Sequence, residues 1–176
     1  DDIFPVSEHK HGATALSVKN LTAYSNDIVG KKVLDNVSID VKKGEILGVA
    51  GLMGAGRSEM LTTIFGAWQG KCSREIEIEG NPTVISSPAD AIASGIGFVT
   101  EDRKRFGLIL DQTILDNMTL AGLSSISGRF LTDRARETKA VKGPMTSLQI
   151  KAKSPVIVTG TLSGGNQQKV VFGKWL

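Results

Sequence analysis

Residues Gly51-Leu52-Met53-Gly54-Ala55-Gly56-Arg57-Ser58 place glycines, a cation and a hydroxyl within one short stretch. Glycines let a backbone curl until consecutive N–H groups point inward at an anion. A helix that starts directly afterwards adds the positive end of its dipole. The Ser58 hydroxyl suits a Mg²⁺ ion that bridges the terminal phosphates of a nucleotide, the arrangement of a phosphate loop. Arg57 stands where such a loop usually carries lysine. Arginine keeps the charge but is longer, planar and forked, so phosphate binding can survive while the geometry at the transferred phosphate changes. The phosphate-binding set is therefore Gly51, Met53, Gly54, Ala55, Gly56, Arg57, Ser58 and Glu59, with Ser58 as the metal contact through the nucleotide. The competing reading is a glycine-rich strand-to-helix turn that binds nothing.

A second string, Leu162-Ser163-Gly164-Gly165-Asn166-Gln167-Gln168-Lys169, opens the last helical pattern. Ser-Gly-Gly alone is an ordinary helix start with a flexible lead-in. The whole string, at this distance from a phosphate loop, resembles the signature sequence of the ABC ATPases, LSGGQ in its common form. The order of elements fits too, so the resemblance covers nearly the whole chain. It implies an α/β fold: an incomplete P-loop (RecA-like) ABC ATPase core with an N-terminal antiparallel β-subdomain and a helical subdomain. With Gly97-Phe98-Val99-Thr100-Glu101-Asp102-Arg103-Lys104-Arg105-Phe106-Gly107-Leu108, the string is similar to the ATP-binding proteins of monosaccharide importers for ribose, galactose or xylose. There one cytoplasmic polypeptide carries two ATPase halves. Gly51–Arg57 and Glu101–Lys104 resemble the second half, for which Arg57 is the usual residue. The surroundings of Ser87-Pro88 and Ser154-Pro155 lean slightly towards xylose-type members.

The resemblance implies roles for further residues. ATP and Mg²⁺ are the expected ligands. Two ATPase domains pack head to tail, so Leu162, Ser163, Gly164, Gly165, Asn166 and Gln167 would face the γ-phosphate held by the other half or by a second copy. Glu101 stands where the family usually offers glutamine to Mg²⁺ and water; it reads equally as a solvated or helix-capping acid. Tyr24 lies where an aromatic ring stacks on adenine, and it reads equally as a strand-face tyrosine. Arg103-Lys104-Arg105 is either a solvated loop or close to a membrane-subunit contact. The acidic strand and switch histidine follow the signature in the family. No catalytic residue is therefore assigned within these residues, and little or no ATP hydrolysis is expected of them alone, with apolar core faces left exposed. The implied partners are membrane permease subunits and, indirectly, a sugar-binding protein, at the cytoplasmic face of a bacterial membrane. Two other readings stand beside this one: a regulatory half that holds nucleotide without turnover, and a soluble ABC ATPase acting on nucleic acid or ribosomes. The second of these usually carries coiled-coil insertions or basic arms, which this sequence lacks, so no nucleic acid is expected.

The elements that must position these residues can be read from periodicity. Leu16 and Val18, then Val37, Ile39 and Val41, then Ile76 and Ile78 alternate with polar residues, as half-buried antiparallel strands do. Gly30-Lys31-Lys32 and Lys42-Lys43-Gly44 mark turns. Ile46–Ala50 is continuously apolar and predicts a strand covered on both faces, as does Ile96–Val99. Met60, Leu61, Ile64 and Phe65 share one face of a predicted helix after the loop. Ser87-Pro88-Ala89-Asp90 starts another helix and Gly95 stops it. Ile114, Leu115, Met118 and Leu123 predict an amphipathic helix. Thr132-Asp133 opens a further one, interrupted at Gly143-Pro144. Leu148–Val158 fits neither pattern. From Ser163 on, the helical spacing puts Val170, Val171 and Trp175 in the core.

Bulk composition is that of an ordinary globular chain: 176 residues, 40% hydrophobic, 22% charged, with a net charge of +3. The single cysteine, Cys72, excludes an internal disulfide and fits a reducing compartment. No apolar run approaches the ~18 residues of a membrane span. The expected organisation is a linker over 1–12 containing His9 and His11, an antiparallel layer with the phosphate-loop core over 13–101, and a helical subdomain over 102–176.

Overall fold

The computed structural model describes residues 12–126 and 133–176. The linker reading of 1–12 lies, except for Gly12, outside the described residues, and so does Thr132. Four strands, β1 (Thr14–Tyr24), β2 (Lys32–Lys42), β3 (Cys72–Ile78) and β4 (Asn81–Pro82), form an antiparallel sheet in the order β2-β1-β3-β4. The alternation read from sequence sets the register. Val18 stands opposite Ile39 on one side and Ile76 on the other, and Leu21 opposite Val37. Val18, Leu21, Ala23 and Ile76 are buried, while Lys19 pairs with Glu77 at 2.9 Å on the exposed face. Such an exposed pair contributes little to stability; the buried face carries the sheet.

Helix α1 (Arg57–Ile64) follows the glycine loop as predicted. Met60, Ile64 and the adjoining Phe65 are buried, but Leu61 is exposed, so its place on the apolar face is corrected. Helix α2 (Pro88–Ala93) has the predicted start. Ser87 accepts a hydrogen bond from the Asp90 amide, Asp90 accepts from the Ser87 amide, and Pro88 fills the first turn, where its missing N–H costs nothing. Gly95 follows the last turn at φ 81°.

Two predicted buried strands are absent. Ile46–Ala50 and Ile96–Val99 form no strand, and among the described residues neither pairs in a ladder. Ile46 is 96% exposed, which overturns the reading of a strand covered on both faces. The physical reason is pairing. An apolar run becomes a strand only when a neighbour bonds its N–H and C=O groups, and unpaired amides in a dry layer are costly. The antiparallel sheet of this chain leaves both runs outside it.

The chain divides into two compact units, of which the second is Gly97–Leu176. It contains a π-helical turn at Arg103–Gly107, helices α3 (Ile114–Thr119), α4 (Leu123–Ile126), α5 (Arg134–Ser147) and α6 (Gly164–Gly173), and a 3₁₀ turn at Thr159–Thr161. Leu108, Ile114, Leu115, Met118, Val141, Ile150, Val170 and Val171 form its core. Trp175 is only half-buried. Asp133 caps α5 by accepting from the amides of Ala135 and Arg136. The predicted interruption at Gly143-Pro144 does not occur, since α5 runs through Pro144. Proline removes its own donation and crowds the preceding turn, yet the Pro144 carbonyl still accepts from the Leu148 amide at 3.0 Å. Burial of Val141 on the α3 and α6 side offsets the missing bond. The undecided stretch 148–158 is mostly irregular and is anchored by buried Ile150 and by a bridge between Thr113 and Val158. No helix among the described residues is long and apolar enough to cross a membrane.

One buried polar side chain ties this unit together. Asn117 is 1% exposed. Its Oδ1 accepts from the Ile109 amide at 2.8 Å; its Nδ2 donates to the carbonyls of Ile109 and Thr113 and to the Thr159 hydroxyl at 2.9–3.1 Å. Truncation would strand several buried partners at once. Asn117→Ala is expected to lower unfolding free energy in urea by about 3 kcal/mol. A loss below about 1 kcal/mol would show that the network is not what holds these turns.

Candidate functional site

The phosphate loop is shaped by two left-handed residues. Gly54 has φ 79° and Gly56 has φ 83°, a conformation that costs most side chains strain. Gly56 is also the N-cap of α1, and it is buried. A Cβ on it would stand 2.9 Å from Leu34 Cδ2 and 3.1 Å from the Val33 carbonyl oxygen, so the loop sits directly on β2. The Ala55 amide donates back to the Leu52 carbonyl at 3.1 Å, and the Met60 amide to Gly56 at 2.8 Å. Gly56 has no side chain to cap the helix, so the first-turn amides of Arg57, Ser58 and Glu59 have no capping side chain among the described residues. Orphan donors at a helix start are what an anion satisfies.

The other members of the predicted set follow the same geometry. Met53, Gly54, Ala55 and Ser58 are exposed, which leaves the loop open. The Arg57 side chain folds back over the loop, with its Cδ 3.8 Å from where a Gly51 Cβ would be. Among the described residues no cluster of His, Cys, Asp and Glu is gathered to hold a metal. Tyr24 ends β1 in the same unit as the loop. The Lys71 ammonium lies 5.9 Å from its ring centroid, a cation–π contact, and Trp68 Nε1 donates to its carbonyl at 3.2 Å.

The second unit gathers the other predicted residues. Glu101 is exposed. The capping considered for Glu101 is done by Asp102, whose Oδ1 accepts from the amides of Lys104 and Arg105 at 3.2 Å each. Ser163 is the N-cap of α6 but makes no side-chain cap. Its Oγ instead accepts from Asn166 Nδ2 at 3.0 Å, while Asn166 Oδ1 accepts from the Lys151 amide at 2.9 Å. That leaves the Ser163 proton, and the amides at the start of α6, directed to no described side chain. Gly164 and Gly165 are exposed, and a Cβ on Gly165 would meet nothing within 4 Å. Leu162 anchors the turn by packing on the core.

Two residues of this region depart from their sequence readings: Gln167, expected to face the γ-phosphate of the other half, turns inward, and Arg103, read as solvated loop or membrane-subunit contact, meets it. Gln167 is buried at 6% exposure, and Arg103 Nε donates to its Oε1 at 3.3 Å. The pair is 64 positions apart, beyond the reach of any local pattern. The signal available was the amide in the signature string, a polar group that needs partners once buried.

The family described as ABC transporter matches residues 34–176. The xylose import ATP-binding protein XylG of Thermoanaerobacter pseudethanolicus is 43% identical over 173 residues, covering 98% of this chain and 34% of that protein. The protein of the same name from Ralstonia nicotianae is 43% identical over 172 residues, with the same coverage. This chain thus spans about a third of the length of these relatives. Among solved structures, the dimeric post-hydrolysis state of the ATP-binding cassette MJ0796 bound to ADP and Pi superposes with a TM-score of 0.70 at 24% identity, over 92% of this chain and 68% of that one. This likeness shows the cassette fold.

The loop geometry makes a comparative prediction. Gly56→Ala combines a left-handed φ with a close approach to Leu34 Cδ2 and the Val33 carbonyl, and is expected to cost about 2 kcal/mol in urea unfolding. Gly165→Ala sits in open space inside a helix and is expected to be neutral or to stabilise by up to about 1 kcal/mol. Equal losses in the two variants would contradict this placement of Gly56.

Proposed function

Since this chain belongs to the ABC transporter family, we propose that it is the second nucleotide-binding half of an ATP-binding protein that couples ATP binding and hydrolysis to monosaccharide import. One observation carries the reading: each unit presents a helix start without a side-chain cap, α1 behind Gly54 and Gly56, and α6 behind Ser163. Phosphate is the ligand such starts take best. Gly51, Met53, Gly54, Ala55, Gly56, Arg57, Ser58 and Glu59 hold the phosphates of ATP, and Ser58 reaches its Mg²⁺. Ser163 and Gly165 serve the ATP of the partner half, with Leu162, Gly164, Asn166 and Gln167 shaping the turn. Glu101 borders the attacking water and Tyr24 the adenine. Residues 13–101 carry the nucleotide and 102–176 form the helical subdomain. Xylose is the sugar that the relatives' names support. The partners are the first ATPase half, permease subunits and, through them, a sugar-binding protein, at the cytoplasmic face of the membrane.

Arg57 motivates a second reading, a half that holds ATP and leaves turnover to its partner. Its forked cation replaces a compact ammonium. In the full-length protein, Arg57→Lys is expected to change the steady-state ATPase rate less than about twofold if arginine is the working residue of this half. A rise beyond about tenfold would instead make Arg57 a brake. Ser58→Ala is expected to weaken ATP binding about tenfold with Mg²⁺ and far less in EDTA, the signature of one lost oxygen contact to a charged partner. Vesicles containing the complete transporter should take up labelled xylose in an ATP-dependent manner ahead of ribose and galactose. Preference for another sugar would overturn the xylose assignment alone.

A further inference from the structure

Arg103 occupies a position that its neighbours in sequence do not. Lys104 and Arg105 are exposed, whereas Arg103 is partly buried against the start of α6. Its Nε donates to Gln167 Oε1 at 3.3 Å. A Cβ on Gly164 would stand 2.9 Å from its Nη2, so the guanidinium lies on the bare backbone of that glycine. Gln167 Nε2 points the other way. It donates to the carbonyls of Leu162, Thr159 and Gly160 at 3.2, 3.4 and 3.5 Å, which are the residues that lead the chain into Ser163.

An amide can turn by 180° with little change of shape, exchanging its oxygen and nitrogen. Here a flipped Gln167 would aim its oxygen at three carbonyls and its nitrogen at a guanidinium. A fixed cationic donor beside Oε1 decides the orientation, because a hydrogen bond to a charged group is stronger than a neutral one and a donor cannot face a donor. The same turn is held from outside by the amides of Thr159 and Gly160, which donate to Gln112 and Leu110 at 2.9 and 2.8 Å. At its far end the π-helical turn is held as well, since Lys174 Nζ donates to the Gly107 carbonyl.

We infer that Arg103 is a positioning residue for the Ser163–Gly165 phosphate contact: by fixing the Gln167 amide it sets the path of the chain into α6, and so the direction of the amides that meet the partner's ATP. The inference rests on the signature role proposed above. It predicts a particular kinetic pattern. ATP is held mainly by the phosphate loop of the opposite half, so loss of Arg103 acts on the rate rather than on nucleotide affinity.

The test is steady-state ATP hydrolysis by the full-length protein with its membrane partner, in vesicles. Arg103→Ala is expected to lower kcat about tenfold and to change KM for ATP less than about twofold. Gln167→Ala should give a similar loss, and the double variant should be no worse than either single one, since both break the same link. Arg103→Lys should recover little, because lysine has no Nε donor at that place. Arg103→Gln, which keeps most of the stem, replaces the alanine variant if that one melts at the assay temperature. Additive losses, a rise in KM with kcat unchanged, or full rescue by lysine would each overturn the inference. Ser163→Arg in the same protein separates the two levels. If it leaves turnover intact, the signature role itself fails; if it abolishes turnover while Arg103→Ala is silent, only the role of Arg103 fails.

Discussion

A helix begins with amides that have no carbonyls of their own to bond, and what satisfies them governs much of this chain. Three helices solve the problem with side chains: Ser87 and Asp90 on α2, Thr113 and Asp116 on α3, and Asp133 on α5. Two do not. At α1 the cap is a glycine, and at α6 the serine's oxygen is already engaged by Asn166. These two uncapped starts are the ones at which the phosphate contacts are proposed.

Local chemistry was readable wherever the partners lie close in sequence. The capping box at Ser87, the turns around Gly30 and Gly44 and the alternation of β1, β2 and β3 needed only neighbours within a few residues or a period of two. The readings that failed depended on distant partners. Ile46–Ala50 has the composition of a buried strand, but composition does not supply a ladder. Pro144 was expected to break α5, yet packing of that helix against α3 and α6 tolerates one absent hydrogen bond. Leu61 has the right spacing for the core and faces outward all the same, because an eight-residue helix offers a narrow buried stripe.

The candidate site shows the same division. Gly51–Ser58 and Leu162–Lys169 were legible as strings because the role proposed for each relies on adjacent backbone groups. The side-chain amides that support them were not. Asn117 and Gln167 each join segments far apart in the chain, and their contacts are invisible until the partners are known. Their value comes from burial, where an unmet hydrogen bond is expensive and a met one fixes orientation.

The contact between Gly56 and Leu34 has a thermodynamic meaning beyond shape. The space a side chain would fill at Gly56 is taken by β2, so the loop cannot tighten without the sheet beneath it being in place. A ligand that orders the loop must then favour the folded sheet by the same free energy with which the folded sheet favours the ligand. On the phosphate site proposed for this loop, the antiparallel layer becomes a silent party to nucleotide affinity, and its stability rises with the nucleotide around it.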